Sequence, residues 1–469
     1  MQQEHMELPK KPWLEILEQC KIGPSPSPPT PFSLPLTYFD LSFFLSPPTQ
    51  RILFYSLPPH ELLHFYSILQ TLKHSLSHAL SHFLPLAGNL VWPPQSPEPF
   101  ICYNPGDSLS LTIAKTHADF HHLSSNHARK AKESHFLVPD LPTSDTIAPV
   151  MSLQITLFPK CGFSIGIITN HVVSDAKTST MFLKSWASIC STLNNTNNKN
   201  PPTLPSELTP CFDRTPATDP NGLHTLYVKS FAIFVPNPKL LGLTPKEVIS
   251  DDVVYATFEL TRIDIEKLRR RVVATSSSTP RRLSTFMLAF SLVSTCIVKA
   301  QRTEPESKIG LIFLVDWRAR MDVLGWLNYF GNGVNGYGLF VEARELEGEN
   351  GMAMISNKIS DALAEIEKNM KENKGVEMLD EISERWKKAM PIDKFVLVAG
   401  SPRLGVYDID FGWGRSKKVE LASISPNGVF SMAESRNGDG GVELGISLPS
   451  EAVDKFCSLF SETMKGYVD

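Results

Sequence analysis

Apolar residues at three- and four-residue intervals predict helices in several places. Leu62, Phe65, Leu69, Leu72, Leu76, Leu80 and Phe83 mark one over His60–Phe83, which Pro85 stops. Leu86-Ala87-Gly88-Asn89-Leu90 then turns the chain into Val91-Trp92. Met151–Phe158 and Phe163–Asn170 read as strands around the turn Pro159–Gly162. A helix over Thr178–Cys190 puts Phe182, Trp186 and Ile189 on one face. A stronger helix repeats Leu283, Phe286, Met287, Phe290, Val293 and Ile297. Strand Ile309–Val315, a Gly-rich loop and a helix with Ile355, Ile359, Leu363, Ile366 and Met370 follow. Phe395–Ala399 and Val442–Leu448 are further strands, and Ser450 is expected to cap a last helix that buries Val453, Phe456 and Phe460.

Between these segments the pattern lapses. Residues 1–33 read as a leader ending in the proline run Pro24–Pro31. Asn194–Pro205, rich in asparagine and proline, reads as a linker extending to about Gly222. Thr275–Arg282 is a second polar stretch. The mixed order of strands and helices predicts an α/β or α+β protein in two halves of similar size.

Composition narrows the function. With 45 basic and 49 acidic residues the net charge is −4, against the basic excess of a nucleic-acid protein. Apolar stretches such as Leu311–Val315 are too short to span a bilayer. The N-terminus has no apolar h-region, so a cytosolic protein is expected and the acceptor Asn194-Asn195-Thr196 should go unused. Seven scattered cysteines without a Cys-x-x-Cys pair argue against a zinc ribbon or a disulfide framework.

Several motifs have a plain structural reading. Gly331-Asn332-Gly333-Val334-Asn335-Gly336 matches G-x-G-x-x-G, but a strand, Tyr337–Val341, follows where a dinucleotide site needs a helix. A loop with several positive-φ residues is the better account. His74, His78 and His82 share a helix face without acidic or cysteine company, which predicts a solvated polar face, and His117, His121 and His122 read alike. Lys267, Arg269, Arg270, Arg271, Arg281 and Arg282 form a basic cluster, an exposed helix face or a contact to a polyanionic cofactor.

The sharpest site is Asn170-His171-Val172-Val173-Ser174-Asp175, between a strand and a helix. A histidine there can project into a crevice and, with an ordinary pKa of about 6.5, take a proton from a hydroxyl. By itself the pattern marks a core or helix-cap histidine more often than not. Asp410-Phe411-Gly412-Trp413-Gly414 reads as a tight loop anchored by a large ring. No nucleophile elbow points to a covalent intermediate.

In combination, His171-x-x-x-Asp175 and Asp410–Gly414 resemble the plant BAHD acyltransferases, which use coenzyme A thioesters. The likeness runs through nearly the whole chain, including Leu86-Ala87-Gly88 and Asp316-Trp317-Arg318. It is strongest to malonyltransferases of anthocyanin, flavonoid and other phenolic glucosides. Their Tyr-Phe-Gly-Asn-Cys segment stands here as Tyr329-Phe330-Gly331-Asn332-Gly333, and Ala176 replaces a common glycine. The resemblance implies an α/β fold of two chloramphenicol-acetyltransferase-like domains with a channel between them: 1–195, a crossover linker 196–225, and 226–469. It implies His171 as general base. Asp410 is counted with the catalytic residues, although with Phe411, Gly412, Trp413 and Gly414 it is expected to hold a distal loop. Asp175 is expected to pair with Arg318. Ser284, Thr285 and, more weakly, Ser401 and Arg403 are expected to contact coenzyme A. Lys177, two residues past the motif, could meet a malonyl carboxylate or merely decorate its helix. No metal or bound cofactor is implied. Malonyl-CoA is the expected co-substrate, a small phenolic glycoside the acceptor, and a monomer without nucleic-acid or membrane partners the expected state. An aromatic donor, an amine acceptor, or a silent binding protein remain alternatives.

Overall fold

A computed structural model describes residues 14–465, apart from 94, 97, 145, 196–201, 218, 220–221, 235–249, 277–282, 321–325 and 373–374. Its six-stranded sheet runs Leu14–Ile22, Leu109–Thr116, Met151–Phe158, Gly162–Thr169, Thr49–Ser56 and Lys418–Leu421. Gly162–Thr169 is buried along its whole length, in keeping with its mostly apolar sequence, and forms a hairpin with Met151–Phe158. Helices Phe65–His82 and Ala176–Asn195 share a core with this sheet, in which Leu72, Phe163, Phe182 and Trp186 are buried.

A seven-stranded sheet runs Val334–Glu342, Lys308–Asp316, Lys394–Ala399, Val429–Glu434, Val442–Pro449, Val253–Leu260 and Arg129–Lys130. Helices Thr285–Ala300, Gly351–Lys371 and Ser450–Lys465 share its core. Thr285–Ala300 is apolar almost all round and buried accordingly. A four-stranded sheet, Phe32–Pro35, Phe100–Tyr103, Asn89–Val91 and Ile147–Pro149, completes the fold.

The two larger sheets exchange strands. Lys418–Leu421, from the C-terminal half, pairs antiparallel with Thr49–Ser56. Arg129–Lys130, from the N-terminal half, pairs antiparallel with Val253–Leu260. Each half therefore completes the other's sheet, which fixes the walls of the space between them.

Several expectations need correction. Residues 14–33 are not a leader: Leu14–Ile22 is an edge strand paired with Leu109–Thr116, and Phe32 opens another strand. The edge strand is exposed on most positions, so it lacks the alternation that marks a strand in sequence. The helix expected over His60–Phe83 breaks into Pro59–Leu62 and Phe65–His82, with Leu63 exposed between them. The histidine face of the longer helix is not simply solvated. The proline-rich segment lies over it, so His78 is buried, with Nδ1 2.9 Å from the Ser25 carbonyl and Nε2 3.0 Å from His74 Nε2. Only Gly331 of the glycine-rich loop has positive φ. Ser450 opens the last helix but turns its hydroxyl to Asp252. The linker's central residues 196–201, Arg281 and Arg282 lie outside the described residues.

Candidate active site

His171 stands two residues past the buried strand Gly162–Thr169, in the turn that enters helix Ala176–Asn195. Its ring stacks on Phe43, with centroids 4.2 Å apart and planes 3° from parallel. Nδ1 is buried without a hydrogen-bond partner, and the half-buried residue lines a large cavity. Burial lowers the imidazole pKa, opposed in part by the residue's own backbone, the charge of Asp175 and Asn332. The ring is thus kept neutral near pH 7, the form a general base requires.

Asp175 does not bond to His171. One carboxylate oxygen accepts the Lys177 and Thr178 amides at 3.1 and 3.0 Å. The other accepts Arg318 at 2.7 Å and the Gly333 amide at 3.0 Å. Burial raises its pKa, but the Arg318 charge and these donors win and hold it below the usual carboxylate range. Arg318, 1% exposed, also donates to Thr178 Oγ1 at 3.1 Å and to the carbonyls of Gly331 and Tyr329 at 2.7 and 3.3 Å. The pair ties the histidine turn to the end of strand Lys308–Asp316 in the seven-stranded sheet.

A second tie was not visible in the sequence. Fully buried Asp40 accepts the Asn332 amide and side chain at 2.8 and 3.1 Å. Asn332 in turn donates to the carbonyls of His171 and Val172, at 3.0 and 3.2 Å. Arg214, from the expected linker, donates to the Phe330 carbonyl at 2.6 Å and lies over the Tyr329 ring. Gly331, φ +125°, leaves no room for a side chain, since a Cβ would fall 2.5 Å from Arg214. Four chain segments thus converge to fix the backbone of one histidine. Asp175, Arg318 and Asn332 lie in segments that carried a motif, whereas Asp40 and Arg214 do not.

Asp410 lies outside the cavity lining. Its carboxylate accepts the Gly412 and Gly414 amides at 2.8 and 2.9 Å, closing a turn in which both glycines have positive φ. Phe411 is thereby buried edge-on against Trp186, 4.7 Å away, and Trp413 meets Phe163 at 6.4 Å. The loop is a plug from the C-terminal half set into the core of the six-stranded sheet.

The cavity has a volume of about 2150 Å³ and takes its walls from both halves. Ser284 and Thr285 line it at the start of helix Thr285–Ala300, where the Ser284 hydroxyl accepts the Met287 amide at 3.3 Å. Arg269, Arg320, Lys368 and Lys371 line it too, as do Ser401 and Arg403 in the loop after Lys394–Ala399. A helix start with hydroxyls and nearby cations suits the phosphates and amides of a coenzyme A arm. Of the described members of the basic cluster, Arg269 alone lines this cavity. Lys177 also lines it, but its ammonium pairs with Asp316 at 3.3 Å. Among the described residues no cluster of three His, Cys, Asp or Glu could hold a metal ion, and no helix is long and apolar enough to cross a membrane.

The sequence profile of the Transferase family matches residues 13–463. The chain is 39% identical to malonyl-CoA:anthocyanidin 5-O-glucoside-6''-O-malonyltransferase of Arabidopsis thaliana, over 96% of this chain and 98% of that one. It is 38% identical to phenolic glucoside malonyltransferase 1 of the same plant, over 97% and 98%. Agmatine coumaroyltransferase of Arabidopsis thaliana is 35% identical, over 95% and 98%. Among solved structures, vinorine synthase superposes with a TM-score of 0.68 at 19% identity, covering 95% of this chain and 98% of that one. TRI101 of F. graminearum, complexed with coenzyme A and T-2 mycotoxin, also gives 0.68 at 15% identity, covering 91% and 97%. The fold is thus the two-domain, chloramphenicol-acetyltransferase-like one expected. With a neutral histidine fixed at the cavity wall, these likenesses place the chain in the BAHD family of acyl-CoA-dependent acyltransferases.

Proposed function

We propose that the protein is an O-malonyltransferase that moves malonyl from malonyl-CoA to a sugar hydroxyl of a phenolic, flavonoid or anthocyanin glucoside. The observation that carries it is His171, half-buried and fixed by four chain segments on a cavity that also reaches the hydroxyl-bearing helix start at Ser284–Thr285. The donor and acceptor classes are those in the names of the 38–39% identical relatives.

The coenzyme A arm lies along Ser284, Thr285, Ser401 and Arg403, and the acceptor hydroxyl comes to His171. His171 takes the hydroxyl proton as the oxygen attacks the thioester carbonyl. The tetrahedral intermediate collapses, the carbon–sulfur bond breaks, and the thiolate leaves and takes up the proton. No acyl-enzyme is formed. General-base catalysis contributes about 10²–10⁴-fold, and holding both substrates in one cavity supplies the remainder. Residues 1–195 and 226–469 act as two acyltransferase domains joined by 196–225, in a monomeric, cytosolic enzyme.

A second reading, an aromatic acyl donor and an amine acceptor, draws on the 35% identity to agmatine coumaroyltransferase. Mass spectrometry of products from malonyl-, acetyl- and coumaroyl-CoA against phenolic glucosides and agmatine separates the two. Malonyl glucosides as the main product are expected. Preference for coumaroyl-CoA, or for agmatine, would overturn the first reading.

A further inference from the structure

We propose that Arg51, steadied by Thr180, binds the free carboxylate of the acyl group and so selects a dicarboxylic donor. This rests on the acyl-CoA transferase reading above and names the specificity element within the same cavity.

Arg51 lies on strand Thr49–Ser56, directly opposite Ile167 on the strand that leads to His171. Directly paired residues share a sheet face. Arg51 and Ile167, with the pair Thr49 and Thr169, all line the cavity, as does His171 beyond them. The guanidinium therefore belongs to the wall that carries the catalytic histidine. Its Nη1 donates to Thr180 Oγ1 at 3.0 Å, one turn into the helix that follows the motif. Thr180 Oγ1 in turn donates to the Ala176 carbonyl at 2.6 Å, so its lone pairs are turned to Arg51.

Two lysines on the helix that follows the motif are already engaged. Lys177, the sequence candidate, pairs with Asp316. Lys184 donates to the Leu404 carbonyl at 3.0 Å. Arg51 has no carboxylate within ion-pair distance among the described residues. Glu434, which also lines the cavity, acts on it from farther off; one of its oxygens accepts the Tyr407 amide at 2.8 Å and the other is buried without a hydrogen bond among the described residues. Burial lowers the Arg51 pKa to about 10, which still leaves it charged at pH 7. A part-buried guanidinium with no carboxylate in direct contact is costly to fold, and a carboxylate arriving with the substrate relieves that cost. The planar fork also suits a carboxylate better than a neutral acetyl or aromatic ring.

The test compares kcat/KM for malonyl-, succinyl- and acetyl-CoA in the wild type, Arg51→Gln, Arg51→Lys and Thr180→Val, with circular dichroism and thermal melts as folding controls. Charge-assisted hydrogen bonds of this kind predict that Arg51→Gln lowers the dicarboxylic-to-acetyl ratio by about 10- to 100-fold. The change should fall on donor KM, with Arg51→Lys recovering part of it. Thr180→Val should lower the same ratio less. Equilibrium binding of malonyl-CoA and acetyl-CoA, without acceptor, should show the same selective loss. If Arg51→Gln weakens both donors alike, or raises only the acceptor KM, Arg51 is not the carboxylate site, and malonyl transfer by the wild type still stands. If the wild type itself prefers acetyl- or coumaroyl-CoA, both this assignment and the malonyl reading fall.

Discussion

The Asp175–Arg318 pair and the Lys418 cluster both bury charge where the two halves of the chain meet, yet they differ in balance. At Asp175–Arg318 one anion and one cation face each other at 2.7 Å. Each is held in its charged form: the carboxylate is lowered and the guanidinium raised, in both cases against burial. Lys418, on the exchanged strand, is equally buried and donates to Asn126 Oδ1 and Thr257 Oγ1, both at 2.7 Å. Its pKa nevertheless falls to about 8, because burial outweighs Glu443 while Arg436 and Arg129 add repulsion. Glu443 stands 3.6 Å away and is shared with Arg436 at 2.7 Å. Buried hydrogen bonding is thus common to both places, whereas a close, direct ion pair belongs to the one that fixes the catalytic turn and Lys418 has only a looser, shared one.

The sharpest way to break this contrast is to remove one partner of the compensated pair. Asp175→Ala and Arg318→Ala should each lower unfolding free energy by about 3–5 kcal/mol, because either leaves a buried charge alone. The double variant should cost clearly less than the two losses added, since the same interaction is removed once. Urea unfolding of the four proteins measures this. Additive losses, or single losses below about 1 kcal/mol, would put the pair on the same footing as Lys418.

Removing the histidine that the pair serves should act on rate instead. His171→Ala should lower kcat by at least about 10²-fold with a melting temperature near that of the wild type. The pH profile has a definite sign. Burial lowers the His171 pKa below 6.5, and the neutral ring is the active base. Turnover should therefore be level near pH 7 and fall only below about 6.5. An acid limb above pH 7 would show that His171 is not held neutral.

Much of this arrangement was legible in the sequence, and the reasons differ by place. The buried strand before His171 and helix Thr285–Ala300 are predominantly apolar, so their types and positions could be read directly. The edge strand Leu14–Ile22 has no buried face to advertise, and the exchanged pair Arg129–Lys130 is two residues long. Such strands are made by their partners, not by their own pattern. In the site, His171, Asp175 and Arg318 lie in motifs. Asn332 lies in one too, but Asp40 and Arg214 help position the turn through contacts between segments far apart in sequence, for which no local spacing exists. Lys177 and Arg51 show the limit most plainly. Both are basic residues on the cavity, and only the fold shows which one has an acidic partner.

A smaller effect probes how tightly the compensated pair is packed. An added Cβ at Gly333 would fall 2.5 Å from the Arg318 guanidinium carbon, while Arg318 is bonded through all three of its nitrogens. Gly333→Cys, the residue of the similar malonyltransferases, should cost about 1–3 kcal/mol here through overpacking. Thermal melts of this variant would show it. A neutral result would mean that Arg318 has slack, and that its bonds to Gly331 and Asp175 are less constraining than their lengths imply.

The smallest effect should come from the more weakly compensated charge. Lys418→Met replaces a buried ammonium with a chain of similar length, and leaves Glu443 with Arg436 and the Tyr407 hydroxyl, both at 2.7 Å. Arg129 keeps its partner Glu420 on the exchanged strand. The loss of two hydrogen bonds is offset by the ended desolvation, so unfolding free energy should change by no more than about 1 kcal/mol. The pH dependence is the more telling readout. Lys418 binds its proton with a pKa of about 8 when folded, against an ordinary 10.5. Between these values the unfolded chain holds more protons than the folded one, so this residue's contribution to stability rises with pH across that window. Below pH 8 both states are charged, and the full penalty of burying the ammonium is present. Lys418→Met should therefore flatten the stability profile between pH 8 and 10.5, and compare best with the wild type below pH 8. A loss of about 3 kcal/mol at pH 7, with no change in slope, would mean that Lys418 is fully compensated after all, and that the two networks hold the halves together by the same physics.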